Sequence, residues 1–302
     1  MKEGRMLRSQ SAMEYLMTYG WAILIIAVVL GALFQLGVFN AGTFAPRAPP
    51  GSCQVFRPNG PGSTSFINLE GVCSGELPQY VASLNGNSYI TITSPVQPGS
   101  GGTQFSAFAW VYLPVLPQGD SHGNAVSQRC VSGECSWFLE LYGNTGSTSA
   151  SPTPYYYGSN LGWNTYISQV GFPINQWEFV GFTVNGGTMT IYADSEVYSG
   201  SVSYSYNSIA LPTYVGARGD GVCGSCINAQ ISNVQIYNTS LSGPEVNALY
   251  IEGVSGAPIN LQNLVAWWPL NGNANDYSGN NNNGVPSGIT YTSSWTSSYT
   301  PP

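Results

Sequence analysis

The chain has 302 residues, of which 43% are hydrophobic, 13% aromatic and only 7% charged. That apolar share excludes a disordered chain, while so low a charge density, against about 25% in an average soluble protein, points to an extracellular, turn-rich, β-rich body. The net charge is −7 and the only cations beyond Arg8 are Arg47, Arg57, Arg129 and Arg218, which argues against nucleic acid as a partner and leaves no polybasic patch for an anionic lipid surface.

The N-terminus differs from the rest. Lys2, Arg5 and Arg8 form its basic cluster, and no charge stands between Glu14 and Arg47. Such a cluster fixes membrane orientation, cytoplasmic side first. The uncharged run from Tyr15 to Phe39, densest in "WAILIIAVVLGALF", can cross a hydrocarbon core of about 30 Å as a helix. It is longer than the apolar region of a secretory signal, and "NAGTFA" is a weak cleavage site, so the sequence predicts a retained single-pass helix. Glu14 is costly in lipid unless it is paired, for example with an amine on a neighbouring subunit, or unless it sits among headgroups. "NAGTFAPRAPPGS" cannot continue a helix and reads as a semi-extended spacer.

From Cys53 onward, short apolar and aromatic runs alternate with Gly, Asn, Ser and Pro turns. "QYVASLN", "SYITIT", "FSAFAWVYLP", "SWFLELYG", "WEFVGFTVN", "TMTIYADSEVYSG", "AQISNVQIYN" and "LVAWWPLNG" read as strands. In "TMTIYA", Met189, Ile191 and Ala193 share one face. Only "LSGPEVNALYIEG" reads as helical, with Ser242 as its cap, Pro244 in its first turn and Gly253 at its end. The predicted fold class is mainly β: an N-terminal transmembrane helix followed by an antiparallel β-sandwich of jelly-roll type. Six cysteines lie beyond the apolar run, and local pairing is simplest: Cys53–Cys73, Cys130–Cys135 and Cys223–Cys226. A thiolate zinc site from Cys130, Cys135, Cys223 and Cys226, or a redox use of "CGSC", are the alternatives. His122, in the loop "QGDSHGNAV", reads as solvated, and no G-x-S-x-G elbow accompanies it. Tyr155, Tyr156, Tyr157 and Trp163, in a Gly/Ser/Pro-rich stretch, are candidate stacking platforms for a glycan, and Asn238 begins the glycosylation sequon "NTS".

Two family resemblances sharpen this. "RSQSAMEYLMTYGWAILII" resembles the class III signal peptides of archaeal type IV pilin-like and archaellin-like proteins, with a basic leader, Gln10, Glu14 and then the apolar helix. The resemblance implies cleavage between Ser9 and Gln10, with Ser9 standing where a smaller residue is usual. It also implies pairing of Glu14 with the new Gln10 amine of an adjacent subunit. The chain then divides into a leader (1–9), a transmembrane, pilin-like helix (10–40), a Pro-rich linker (41–52) and a β-domain (53–302). Much of the stretch from Leu84 to Gly284 resembles the laminin-G-like, concanavalin A-like jelly rolls, through "NGNSYI", Trp110, the strand at Trp177, the Asp194–Glu196 hairpin and "VQIYNTSLS". "LVAWWPLNGNANDYSGNNNNG", which resembles the segment that normally opens such domains, stands near the C-terminal end. A circular permutation explains this order; exchange of the last strands with a neighbouring subunit is the alternative. The resemblance implies a calcium site at one rim, for which Asp220 and Asp276 are the candidate ligands beside their reading as Asx turns. It also admits a glucanase pair at Asp194 and Glu196, against the plainer reading of a hairpin turn. The expected protein is a non-enzymatic archaeal cell-surface pilin-like subunit, single-pass with its N-terminus in the cytoplasm. It presents an extracellular domain for adhesion or glycan or protein recognition, and its partners are the membrane and like subunits. A non-assembling membrane-anchored binding protein and a surface glycosidase are the alternatives.

Overall fold

The computed structural model describes residues 19–31, 52–56, 66–70, 77–98, 100–117, 123–128, 130–131, 134–143, 148–157, 159–160, 170–204, 211–218, 223, 226–300 and 302. The chain divides into two units, Met1–Arg47 and Ala48–Pro302. In the first, residues 19–31 form helix α1, and every one of them is exposed. Its sequence is apolar all round, as in a helix that needs lipid or other helices about it. No helix among the described residues is long and apolar enough to cross a membrane. The expected span of 10–40 reaches on both sides outside the described residues.

The second unit is built of antiparallel strands. In chain order they are β1 (Ser52–Phe56), β2 (Phe66–Glu70), β3 (Val81–Asn85), β4 (Tyr89–Ile92), β5 (Gln104–Tyr112), β6 (Gly123–Gln128), β7 (Cys130–Val131), β8 (Glu134–Cys135), β9 (Trp137–Gly143) and β10 (Ser149–Tyr156). Then follow β11 (Ser159–Asn160), β12 (Phe172–Pro173), β13 (Trp177–Asn185), β14 (Thr188–Ala193), β15 (Glu196–Ser201), β16 (Thr213–Val215), β17 (Asn228–Tyr237), helix α2 (Gly243–Glu252), β18 (Leu264–Trp268), β19 (Gly284–Ser287) and β20 (Thr290–Thr292). Two sheets make the sandwich. The first runs β15-β14-β13-β5-β17-β3-β20, with β18 also on β17; the second runs β11-β10-β9-β6-β16-β4-β19, with β12 also on β10. Between them lies a dry core to which Ile90, Phe105, Trp137, Phe182, Ile231 and Trp268 contribute. Met189, Ile191 and Ala193 all face it, as their spacing predicts.

The outer face of the first sheet carries a second apolar layer. Phe108, Trp110, Trp177 and Phe179 are covered there by Val246 and Leu249 of α2 and by Trp295. Helix α2 starts where the sequence predicts. The Glu245 carboxylate accepts hydrogen bonds from the Ser242 backbone N–H and hydroxyl, both at 2.7 Å, and these hold its pKa below the usual value. Gly253, in the left-handed region at φ 79°, ends the helix. Trp295 stands edge-on to Trp177 at 5.7 Å and donates its indole N–H to the Pro78 carbonyl at 3.2 Å.

The C-terminal strands pair within their own chain: β18 with β17, β19 with β4 and β20 with β3. One residue makes room for them. Asn233 sits at φ 51° in a bulge of β17, between the register that faces β3 (228–231) and the one that faces β18 (234–237). Its side chain is buried and satisfied. Oδ1 accepts from the Trp267 indole (2.7 Å) and from Gln235 Nε2 (3.0 Å), and Nδ2 donates to the Gly256 carbonyl (2.8 Å). Gln235 in turn accepts from the Tyr237 hydroxyl at 2.6 Å. The other edge of β18 is covered by the Asn-rich loop. Asn280 and Asn282 donate to the Val265 carbonyl (3.0 and 2.9 Å), and the Trp267 N–H donates to Asp276 (3.0 Å).

Replacing Asn233 by Ala strands the Trp267 and Gln235 donors in a dry site and forces a left-handed residue without its side-chain bonds. Urea unfolding of Asn233→Ala is expected to show a loss of roughly 2–3 kcal/mol. A loss under ~0.5 kcal/mol would contradict the role given to this network.

Candidate functional site

The outer face of the second sheet gathers polar and aromatic side chains. In β9, Trp137, Leu139 and Leu141 point into the core, so Phe138, Glu140 and Tyr142 alternate to the outside. The register aligns one row across four strands: Tyr155, Phe138, Ser127, Tyr214. A second row is Thr153, Glu140, Asn124. The Phe138 and Tyr155 rings stack at 4.8 Å and 8°, with Phe138 buried and Tyr155 half-buried. Ser127 is spent on the Ala217 carbonyl at 2.8 Å.

Glu140 is 1% exposed. Burial pushes its carboxyl up to about 8, against a smaller opposing pull from Arg218. Arg218 is the one cation of this unit among the described residues, and its Nε is buried without a hydrogen bond. At neutral pH the pair is therefore a protonated acid beside a guanidinium. Solvent reaches Tyr155 but not Phe138, Glu140, Thr153, Ser127 or Asn124, which are buried, so what the face offers is one ring to stack on, held from behind by a buried polar row.

The predicted residues fall in different places. Tyr155 lies on this face. Tyr156 does not: it is fully buried in the core, with its hydroxyl donating to the Gly102 carbonyl at 2.7 Å. Tyr157 is also no open platform, being 5% exposed, edge-on to Tyr156 and left-handed at φ 44°. Asp194 and Glu196 do not share a strand face. Asp194 turns the chain at φ 49°, with Oδ1 accepting the Phe179 N–H at 2.7 Å, and Glu196 opens β15 on the far side of the turn. Asp276 uses both carboxylate oxygens internally. Oδ1 accepts from Trp267 and Ser278 N–H groups, and Oδ2 from the Ser278 hydroxyl and the Asn282 N–H, all within 3.0 Å. Four accepted bonds fill the lone pairs a cation would need, and the Ser278 bond is an Asx turn. No group of three metal-ligating side chains occurs among the described residues. Asn238 is exposed at the end of β17.

Cys223 and Cys226 form a disulfide, beside which a cleft of about 210 Å³ opens between Val115, Leu116, Pro117 and Ile227. Cys130 and Cys135 stand opposite each other in the β7–β8 register, and Cys53 stands opposite Leu69 in β1–β2. The bonds expected at Cys53–Cys73 and Cys130–Cys135 fall outside the described residues, as do Ser9, Gln10, Glu14, His122, Trp163 and Asp220.

Three buried residues, two of them at this face and one on the first sheet, escape motif reading. Glu140 and Phe138 are encoded only in the alternation of "WFLELYG". Glu178, 2% exposed at the start of β13, is hydrogen-bonded to Asp194 and Gln176. Its carboxyl is pushed up to about 9, first by burial and then by the hydrogen bond and charge of Asp194, with Glu196 adding a smaller push. Two carboxyls in direct hydrogen-bond contact are closer than the roughly 5 Å or more that separates a glycosidase pair.

A two-sheet antiparallel sandwich with an aromatic, polar outer face is the architecture of lectin-type jelly rolls. The chain belongs to the concanavalin A-like lectin/glucanases superfamily, whose laminin G-type family profile matches residues 84–247, more than half of its length. No curated protein sequence matches it. Among solved structures it is similar to a provisional carbohydrate-binding protein from Bacteroides ovatus, with 16% identity, a TM-score of 0.51 and 76% of this chain aligned. The chain spans 64% of that protein's length. A heptameric SAP-like pentraxin from Limulus polyphemus gives 14% identity and a TM-score of 0.48, over 72% of this chain and 95% of that one. Domain 4 of an extracellular arabinanase from Geobacillus stearothermophilus gives 16% identity and a TM-score of 0.42, over 57% and 81%.

Both raised carboxyls bear on stability. The unfolded chain releases these protons near the ordinary value of 4.5; the folded protein keeps them to about 8 at Glu140 and about 9 at Glu178. The native state thus binds more protons throughout that window, and stability falls as pH rises through it. Thermal melts are expected to give a higher Tm at pH 5 than at pH 9. Glu140→Gln and Glu178→Gln should each flatten the dependence, and an unchanged slope in both would refute this assignment.

Proposed function

We propose that this is a cell-surface binding protein whose laminin G-type domain recognises a glycan through the outer face of its second sheet. The observation that carries the reading is the stacked Phe138–Tyr155 pair beside Glu140, Thr153 and Arg218 on one face of a lectin-type sandwich. A half-buried tyrosine backed by a second ring is a stiff platform for the apolar face of a sugar, and the buried row of Thr153, Glu140 and Asn124 fixes the strands that carry it. The B. ovatus protein supports this choice of ligand over a peptide.

The presentation of the domain follows from its N-terminus. An apolar helix without charge, preceded by Gln10 and Glu14 behind a basic leader, supports an archaeal pilin-like subunit. It is cleaved between Ser9 and Gln10, held in the membrane with its N-terminus in the cytoplasm, and assembled with like subunits through Glu14. The pairing of β18–β20 within the chain supports a circularly permuted domain over strand exchange.

Two measurements test this. On a glycan array, the full chain is expected to retain a defined set of glycans, and Tyr155→Ala to lose at least tenfold in affinity for them with its melting temperature preserved. Retention unchanged in Tyr155→Ala would move the site elsewhere. N-terminal sequencing of the membrane-extracted protein is expected to begin at Gln10; a chain beginning at Met1 would favour a plain anchor that never assembles.

A further inference from the structure

We propose that β15 is a docking edge for a second copy of this chain, paired antiparallel across a two-fold axis so that the first sheet continues from one copy into the other. This lies beyond the glycan reading and uses the opposite sheet. Among the described residues, six strands of the two sandwich sheets pair on one side only, and five of them are blunted or covered, β12 by its length of two residues and β18 by the Asn-rich loop. Strand β11 has two residues; β20 has three; β19 has four and contains Pro286. Strand β15 is six residues long, "EVYSGS", with no proline, no cation and no bulge in its register with β14. An edge of that kind is a template for another strand.

The ladder shows which groups it offers. The Asp194 N–H donates to the Phe179 carbonyl, so the even-numbered residues of β14 bond towards β13 and the odd ones towards β15. Ala193, Ile191 and Met189 therefore bond Glu196, Tyr198 and Gly200, and the Val202 N–H continues the series onto Gly187. Val197, Ser199 and Ser201 are left with N–H and C=O both pointing off the edge, and all three are exposed. A two-fold axis at Ser199 satisfies every one of them, placing Ser199 opposite Ser199 and Val197 opposite Ser201 of the second copy.

Charge selects this orientation. The hairpin end of β15 holds Asp194, Glu196 and the protonated Glu178, while the far end is neutral. Antiparallel pairing puts Glu196 opposite Val202 and separates the two acidic ends by about 20 Å, at ~3.4 Å per residue. That exceeds a Debye length of roughly 8 Å in physiological salt. Parallel pairing would set the acids side by side. A self-complementary edge needs no other partner to close it.

The test is site-directed cross-linking in the purified full chain. Under mild oxidation Ser199→Cys is expected to give a covalent dimer, whereas Thr190→Cys, one strand further in, is not. Assembly through α1 would cross-link both or neither, and either result overturns the proposal. Val197→Pro removes one outward N–H while sparing every bond to β14. Added to Ser199→Cys, it is expected to cut the dimer at least fivefold with the melting temperature held. A dimer that persists undiminished, or a cross-link from the Ser199→Cys variant to a different polypeptide, overturns pairing between copies.

Discussion

Strand β17 is ten residues long, and one of its edges serves two partners that come from opposite ends of the domain. A regular strand could not do this, because β3 and β18 would collide where they meet. The left-handed bulge at Asn233 separates them, and its amide binds the Trp267 indole of β18 and the Gly256 carbonyl beyond α2. Everything C-terminal to α2 hangs from this junction. Through β18 the Asn-rich loop is placed, through that loop β19 reaches the second sheet, and through β20 the chain returns to the first. The polar network is fully used and lies in a dry layer, so it fixes one arrangement where an apolar patch would tolerate several.

The scarcity of cations shapes the chemistry. An acid buried in an ordinary domain finds an arginine or lysine and stays charged. Here Arg218 is the only described cation of the unit, and it only partly offsets the burial of Glu140. Glu178 has another acid for its neighbour. Both therefore keep their protons at neutral pH, and Glu178 shares a hydrogen bond with Asp194. The low charge of the chain thus makes the buried carboxyls neutral groups.

Much of the architecture was legible. Period-two alternation placed Met189, Ile191 and Ala193 on the core face, "NGG" turned the β13–β14 hairpin, and Ser242, Pro244 and Gly253 bounded α2, because each signal is local. Tyr155 to Tyr157 were not separable by composition: only the strand phase sends Tyr156 inward, and only the backbone of Tyr157 folds its ring against it. Asp276 carries the same residue type as a calcium ligand, yet its surroundings are its own chain's N–H groups. Glu140 and Glu178 left no motif, since their significance arises from neighbours contributed by β10, β6 and the β14–β15 turn.

The pairing of the two ends also sets how this domain can fold. The bond from the Trp295 indole to the Pro78 carbonyl closes a separation of 217 residues, and β20 on β3 spans nearly as much. Contacts so distant in sequence are reached late, after the entropy of closing the intervening chain has been met. Until then β3 and β4 have bare edges, and Trp177 and Phe179 lack part of their cover. Those edges are the ones that β19 and β20, one strand in each sheet, seal in the native fold.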